Sequence, residues 1–340
     1  MHRCLELARL GAGSVAPNPM VGAVLVYENR IIGEGYHRQY GGPHAEVNCI
    51  DSVNGNDLPL LPLSTLYVSL EPCAHFGKTP PCSDLIIRKG IPKVVVGCRD
   101  PFPEVDGKGI ERLRRAGVEV ISGVLEQDCL DLNRRFFTFV TAGRPYIILK
   151  WAQTADGFMA ADGGGRLLIS NDHTNRLVHR WRSEEAAILV GTDTALQDDP
   201  SLTNRLWTGK SPVRMVIDRN LRLPAGLKLF DRQQRTIVIN TVKAEENNHL
   251  SYQKIDVTTG TIDAVLAIAC KEKLQSILVE GGSSLLQSFI NSGFWDEARI
   301  ITNPLLRIAK GLPAPVIRQN TLVKKENIGT DTLSIYRHEQ

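Results

Sequence analysis

Residues 65–90 read TLYVSLEPCAHFGKTPPCSDLIIRKG, and residues 42–53, a little earlier, read GPHAEVNCIDSV. The first stretch holds a strand, a loop and a helix in one piece. TLYVSL is a short apolar run closed by Pro72, the pattern of a buried strand. SDLIIRKG has helical spacing, and Ser83 stands where a start cap belongs. HAEVNCIDSV also predicts a helix, with Ala45, Val47, Cys49 and Ile50 facing inward. Working outward, VGAVLVY and RIIGEGYH predict a hairpin turning at Glu28-Asn29. KVVVGCRDP and VEVISGV predict further strands, and GIERLRRAG a helix that stops at Gly117. Strands alternating with helices imply an α/β layered domain with some parallel pairing.

The same stretch carries chemistry. His44, Cys73 and Cys82 offer one imidazole and two thiolates, soft ligands suited to tetrahedral zinc with a fourth position left for water. Glu46, two residues after the histidine, falls close to that water without being a ligand. H-x-E followed by P-C and a second cysteine is a zinc-deaminase pattern, in which the carboxylate carries protons between water and the leaving amine. Here eight residues separate the two cysteines, where the general pattern has two. The competing reading makes Cys73 and Cys82 small buried hydrophobes and His44 a loop residue. The joint order of the motifs outweighs it. Cys4, Cys49, Cys98, Cys129 and Cys270 lack such a context and are expected to be structural.

Length and charge bound the rest. A chain of 340 residues favours two domains. A net charge of +3 and the absence of a long basic run argue against a nucleic-acid or membrane surface. The odd count of 7 cysteines, without a secretory leader, points to reduced thiols and a cytoplasmic location. MHRCLELARLG predicts an amphipathic helix, and the chain begins inside it, which leaves room for a few preceding residues. Between the cysteines, His75 and Lys78 are expected to meet an anionic or polar part of a substrate; the alternative is a connector stiffened by its prolines. Asn18 and Asp100, at element ends, could hold the amide edge of a heterocycle.

A Gly-Pro turn after the helix around Phe136 places the domain boundary near 142–145. Beyond it, PYIILKWA, AAILVGT, PVRMVID, RTIVINT, SILV and ARIITNPLL predict strands, whereas 243–263 is polar and expected to be peripheral. VEGGSSLL predicts a strand, a Gly-Gly turn and a helix whose free N–H groups could take a phosphate, or simply a close-packed turn. It is not G-x-G-x-x-G, so a standard dinucleotide fold is unsupported. Arg182 and Arg205 are candidate partners for phosphate or carboxylate, against the commoner fate of solvated arginines. Arg219, after VID, is a candidate for a 2′-phosphate.

With both halves in view, the chain resembles the bifunctional deaminase–reductases of riboflavin biosynthesis over essentially its whole length. The likeness rests on APNPMVGAVLV, GYHRQYGGPHAEVNCI, LYVSLEPCAHFGKTPPC and GCRDPFPEVDGKGIERLRRAGVEV, then on KWAQTADG, ILVGTDTALQDDPSLTNR, VRMVID and VEGGSSLL. It implies a cytidine-deaminase-like three-layer α/β/α domain at 1–142 and a dihydrofolate-reductase-like α/β domain at 145–340. A phosphorylated ribosylaminopyrimidine would lose its ring amine at the zinc site, and NADPH would then reduce its ribose to a ribityl chain.

By matching position, the resemblance assigns zinc to His44, Cys73 and Cys82 and the proton shuttle to Glu46. It assigns the pyrimidine and its phosphate to Asn18, His75, Lys78 and Asp100. NADPH falls to Ala152, Thr194, Asp198 and the run Gly282, Ser283, Ser284, Leu285, Leu286, Gln287 and Ser288. The ribose phosphate falls to Arg166, Arg182, Leu202, Arg205 and Glu280. Lys150 and Asp156 lie in the KWAQTADG motif without an assigned role. The chain departs from the family pattern at Arg166, where a small hydroxyl is usual, and at Leu168, where an aromatic is. The expected partners are small phosphorylated pyrimidines, with no nucleic acid and no membrane, in a cytoplasmic homo-oligomer, dimer or tetramer. The alternatives are an enzyme active only as a deaminase with a degenerate second domain, and a nucleic-acid-binding protein of deaminase fold.

Overall fold

The computed structural model describes residues 1–74, 80–162, 167–247 and 249–339. The chain divides into two units, Met1–Gly143 and Arg144–Gln340. The first contains, in order, α1 (His2–Arg9), β1 (Gly22–Tyr27), β2 (Arg30–Tyr36), α2 (Ala45–Asp51), β3 (Thr65–Leu70), α3 (Cys82–Arg88), β4 (Lys93–Cys98), α4 (Lys108–Arg115), β5 (Glu119–Ser122), α5 (Glu126–Leu132) and α6 (Arg134–Thr141).

Glu28 and Asn29 both adopt positive φ, 46° and 63°. That two-residue left-handed turn matches the twist of a hairpin and fixes the β1–β2 pairing. The sheet runs β2-β1-β3-β4-β5, antiparallel at β1 and parallel from β3 to β5. Alternation splits β1 between two cores. Ala23 and Leu25 pack with Ala45 and Cys49 of α2, Ile86 of α3 and Leu113 of α4. Val24 packs with Cys4 and Leu7 of α1, while Leu5 and Cys129 of α5 close the same side over Leu70. Helices therefore cover both faces, the three layers expected.

Two local expectations are corrected. Pro81, with φ near −55°, starts α3 one residue earlier than predicted, so Cys82 is its first residue. Ser83 is thus inside the helix, and its hydroxyl donates to the Cys73 carbonyl at 3.0 Å. In α2 the buried face is Ala45, Glu46, Cys49 and Ile50, because helical spacing carries Val47 to the flank.

The second unit contains β6 (Tyr146–Thr154), β7 (Phe158–Ala161), α7 (Asp172–Glu184), β8 (Ala187–Gly191), α8 (Thr192–Asp198), β9 (Val213–Ile217), β10 (Thr236–Asn240), β11 (Leu250–Lys254), α9 (Thr261–Lys271), β12 (Ser276–Val279), α10 (Ser283–Ser292), β13 (Glu297–Asn303), β14 (Gly311–Pro313), β15 (Asn320–Ile328) and β16 (Asp331–His338). Its main sheet runs β11-β10-β9-β8-β12-β6-β13-β16-β15. Pairing is parallel from β11 to β13 and antiparallel for the last two strands. On one face Ile147, Leu149 and Trp151 of β6 pack under α9 and α10. On the other, Tyr146 and Ile148 pack against Val178 and Trp181 of α7. Residues 243–263 are not all irregular: β11 pairs in parallel with β10, and its Leu250 and Ser251 are buried. No helix among the described residues is long and apolar enough to cross a membrane.

Candidate active sites

In the first unit three elements converge. His44 immediately precedes α2 in extended conformation, Cys73 follows β3, and Cys82 opens α3. Their ligand atoms all lie within 4.8 Å of one another. His44 Nδ1 is 3.6 Å from Cys73 Sγ and 3.4 Å from Cys82 Sγ. A tetrahedral zinc with Zn–S about 2.3 Å and Zn–N about 2.0 Å would hold sulfur and nitrogen about 3.5 Å apart. The donor set fits the ion in chemistry and in spacing.

The three groups perturb one another strongly. The two neighbouring thiols share charge unequally: Cys73 is drawn down to about 4 by the Cys82 hydrogen bond and by His44, and Cys82 is pushed up by Cys73. His44 is raised to about 9, chiefly by its bond to Cys73. The Cys82 amide also donates to Cys73 Sγ at 3.3 Å. Glu46 is 3% exposed on the buried face of α2, the helix that His44 precedes. Burial pushes Glu46 up to about 6, against the opposing pull of His44. A carboxyl poised near neutrality can both take and return a proton.

Asn18 and Asp100 are held beside different anchors. Asn18 Nδ2 lies 3.1 Å from His37 Nε2, and His37 Nδ1 donates to the Pro43 carbonyl at 2.9 Å, just before His44. Asn133 clamps the same loop by bonding both the N–H and the C=O of Met20, each at 2.8 Å. Asp100 is 6% exposed and accepts from the Phe102 amide at 2.8 Å. Burial raises it to about 6. His75 and Lys78 lie outside the described residues.

In the second unit Glu280 follows β12 and precedes the Gly281-Gly282 turn. Arg182 of α7 binds it in a fork, 2.9 Å from Oε1 and 2.8 Å from Oε2. Lys150 Nζ of β6 is 3.7 Å from Oε2. Burial opposes charge on Glu280, but Arg182 and Lys150 outweigh it and hold the carboxylate at about 2. Burial in turn lowers Lys150, against Glu280. Arg182 also reaches the Thr203 carbonyl at 3.2 Å. Next to it His179 Nδ1 accepts the Arg205 amide at 2.9 Å, and burial together with both arginines drives that imidazole down to about 4. Arg205 leaves its guanidinium exposed.

The start of α10 forms a cradle. A Cβ on Gly281 would lie 2.8 Å from the Val190 side chain, and Gly282 has φ 69° with Thr194 Oγ1 3.4 Å from its Cβ position. Both sites exclude larger residues, which leaves bare backbone there. The Gly282 carbonyl accepts from Leu286, so the amides of Ser283, Ser284 and Leu285 have no intrahelical partner. Asp198 is exposed at the end of α8 and Ala152 is half-buried on β6.

The run 282–288 is not uniform, however. Leu286 is fully buried in the core, and Ser283 and Gln287 bond the Pro313 and Val316 backbone. Leu202 is 3% exposed with its side chain in the core beside Ile188 and Val190, which leaves only its backbone for a ligand. Arg219 ties Val257 and Thr261 together instead of standing free. Asp156 receives the Ile308 and Ala309 amides, a turn-building role. Leu168 is 74% exposed, and Arg166 lies outside the described residues.

Sequence reasoning passed over Glu71, His37 and His179, and it left Lys150 without a role. Glu71 sat inside the quoted E-P-C, and His179 lies one helical turn from Arg182; either spacing could have drawn attention to them.

Comparison with known proteins bears on both units. Residues 1–98 match the cytidine and deoxycytidylate deaminase zinc-binding region, and residues 145–332 match the RibD C-terminal domain. The chain is 39% identical to the riboflavin biosynthesis protein RibD of Aquifex aeolicus, covering 99% of this chain and 97% of that one. It is 34% identical to RibD of Escherichia coli over 90% of this chain and 87% of that one. The crystal structure of a diaminohydroxyphosphoribosylaminopyrimidine deaminase/5-amino-6-(5-phosphoribosylamino)uracil reductase from Thermotoga maritima superposes with a TM-score of 0.91 at 38% identity, covering 99% of this chain and 97% of that one. Acinetobacter baumannii RibD gives 0.89 at 29% identity, over 100% of this chain and 98% of that one. The chain belongs to the RibD family, the bifunctional deaminase–reductases of riboflavin biosynthesis.

Proposed function

We propose that the first unit deaminates 2,5-diamino-6-(5-phosphoribosylamino)pyrimidin-4(3H)-one and that the second reduces the resulting 5-amino-6-(5-phosphoribosylamino)uracil. The observation that carries the reading is the spacing of His44, Cys73 and Cys82, which fits tetrahedral zinc, with Glu46 buried two residues after His44. Zinc held there supplies the Lewis acidity that makes water a nucleophile at neutral pH. Glu46 moves one proton of the attacking water to the adjacent ring nitrogen and then the hydroxyl proton to the amine. The ring C–N bond breaks, ammonia leaves, and the ring carbon becomes a carbonyl. Asn18 and Asp100 orient the pyrimidine, and His75 and Lys78 take its polar and phosphate groups.

NADPH bound in this unit would supply the hydride that reduces C1′ of the ring-opened ribose. The chain's own part is to hold the reactants and provide one proton. Glu280 at about 2 has none to give at neutral pH, and a guanidinium does not deprotonate. Lys150 is therefore the member of that cluster that supplies it. Arg182, Arg205 and the Leu202 backbone, with Arg166, receive the ribose phosphate. Ala152, Thr194, Asp198 and the start of the run from Gly282 to Ser288, where the Ser283, Ser284 and Leu285 amides are free of intrahelical partners, receive the cofactor.

We place the enzyme in the cytoplasm, on the strength of its free thiols. Exposed Leu305, Val316, Leu322 and Val323 support a homo-oligomer, dimer or tetramer. The test is one assay on the pyrimidine ribosylamino phosphate that follows ammonia release and NADPH oxidation together. Both are expected, in that order. Ammonia without NADPH oxidation would leave a deaminase alone, and neither would refute the reading.

A further inference from the structure

We propose that Glu71 is a positioning residue for substrate binding in deamination, acting through Asp100. The inference rests on the deaminase reading above. Glu71 follows β3, two residues before Cys73, and is 4% exposed. Among the described residues no cation pairs with its carboxylate. It accepts four backbone N–H bonds instead. Oε2 takes Asp100 at 3.3 Å and Gly107 at 3.0 Å; Oε1 takes Gly109 at 3.0 Å and Ile110 at 3.2 Å. Its own amide donates to the Cys98 carbonyl at 3.0 Å. One side chain thus joins the end of β3 to both ends of the segment that begins at Asp100 and runs into α4.

The fit at that joint is close. A Cβ on Gly109 would lie 1.9 Å from the Pro72 carbonyl oxygen, so only glycine lets the segment reach the carboxylate. Within and beside the segment, the Phe102 amide donates to Asp100, Lys108 to the Pro103 carbonyl, and Arg99 to the Asp106 carbonyl. Cys73 is anchored separately. Its carbonyl takes Ser83 N at 3.2 Å and Ser83 Oγ at 3.0 Å, and its sulfur takes the Cys82 amide. Glu71 can therefore be perturbed without withdrawing these bonds at Cys73, whereas the Asp100 segment loses bonds to the residue that follows β3.

Glu71→Gln is the discriminating change. All four partners are donors, and a carboxamide has one acceptor oxygen, so its NH2 must face two N–H groups. The experiment compares wild type, Glu71→Gln, Asp100→Asn and the double variant, reading zinc content, the KM and kcat of ammonia release, and NADPH oxidation with deaminated substrate. Glu71→Gln is expected to keep zinc and NADPH oxidation, to raise the KM of deamination about tenfold or more, and to leave kcat within about threefold. In the Asp100→Asn background it should add little, because the two changes remove one interaction. Loss of zinc, a fall in kcat at unchanged KM, or equal effects in both backgrounds overturns the positioning role. If Glu71→Gln does not fold, Glu71→Asp keeps all the acceptors on a shorter arm and is read by the same criteria. Wild type without ammonia release would remove the deaminase reading and this role together; an active wild type with an unchanged variant removes this role alone.

Discussion

Replacing Glu280 by Gln removes the single negative charge from a buried group of three. The carboxylate meets Arg182 at 2.9 and 2.8 Å and Lys150 at 3.7 Å, and the three side chains are 14% exposed or less. Breaking a buried ion pair from one side costs roughly 3–5 kcal/mol, because the stranded cations keep their desolvation penalty. The titration of Glu280 gives a second route to the figure. It falls from 4.5 to about 2 in the folded chain, and at 1.36 kcal/mol per unit that is about 3 kcal/mol. For a unit of this size, 3 kcal/mol corresponds to roughly 6–12 °C in unfolding temperature.

Because the folded value is depressed, the contribution is complete above 4.5 and is lost as pH falls towards 2. Calorimetry on wild type and Glu280→Gln, following the transition of the second unit, should show the full gap at pH 7 and a narrowing gap below pH 4.5. Glu280 also raises Lys150, so its loss should move the alkaline limb of NADPH oxidation to lower pH. A gap under about 2 °C at pH 7, or one that widens on acidification, would refute the reasoning.

Other expectations follow from the same geometry. Glu46→Gln should retain zinc by elemental analysis and lose about 10²- to 10⁴-fold in ammonia release, while NADPH oxidation with deaminated substrate is unchanged. Cys82→Ser replaces a thiolate with a poor zinc ligand; metal content and deamination should fall together and reduction should persist. Gly281→Ala drives a methyl group to 2.8 Å from Val190, which should displace the start of α10, raise the KM for NADPH and cost about 1–3 kcal/mol of the second unit's stability.

Much of this was legible in the sequence, for identifiable reasons. The candidate metal ligands, which the structure brings together, were marked by residue types whose order has few other uses, and the first hairpin by a turn of two residues that tolerate positive φ. The strands of the parallel sheet are continuous apolar runs because both faces are covered. Other parts gave little signal. β15, NTLVKKENI, is largely exposed and lies at the sheet edge, so no burial pattern marks it. LSYQK of β11 is an edge strand with a polar second half. Lys150 was visible, but Glu280, which brings it together with Arg182, lies 98 residues beyond Arg182 in sequence. Glu71 was concealed differently: its partners are backbone amides, which the identities of the residues supplying them cannot reveal.

The three proposed zinc ligands also bear on how the first unit holds together. His44 and Cys82 are 38 residues apart. An ion bonded to both is a cross-link as much as a reagent. In the chain-entropy treatment of covalent bridges, a closed loop of that length corresponds to about 4 kcal/mol withheld from the unfolded ensemble. The deaminase unit should accordingly melt earlier after chelation, and earlier still at acid pH, where protons compete for the thiolates. Metal occupancy and mechanical closure of the loop are then a single equilibrium, so a cell short of zinc loses folded deaminase as well as its chemistry.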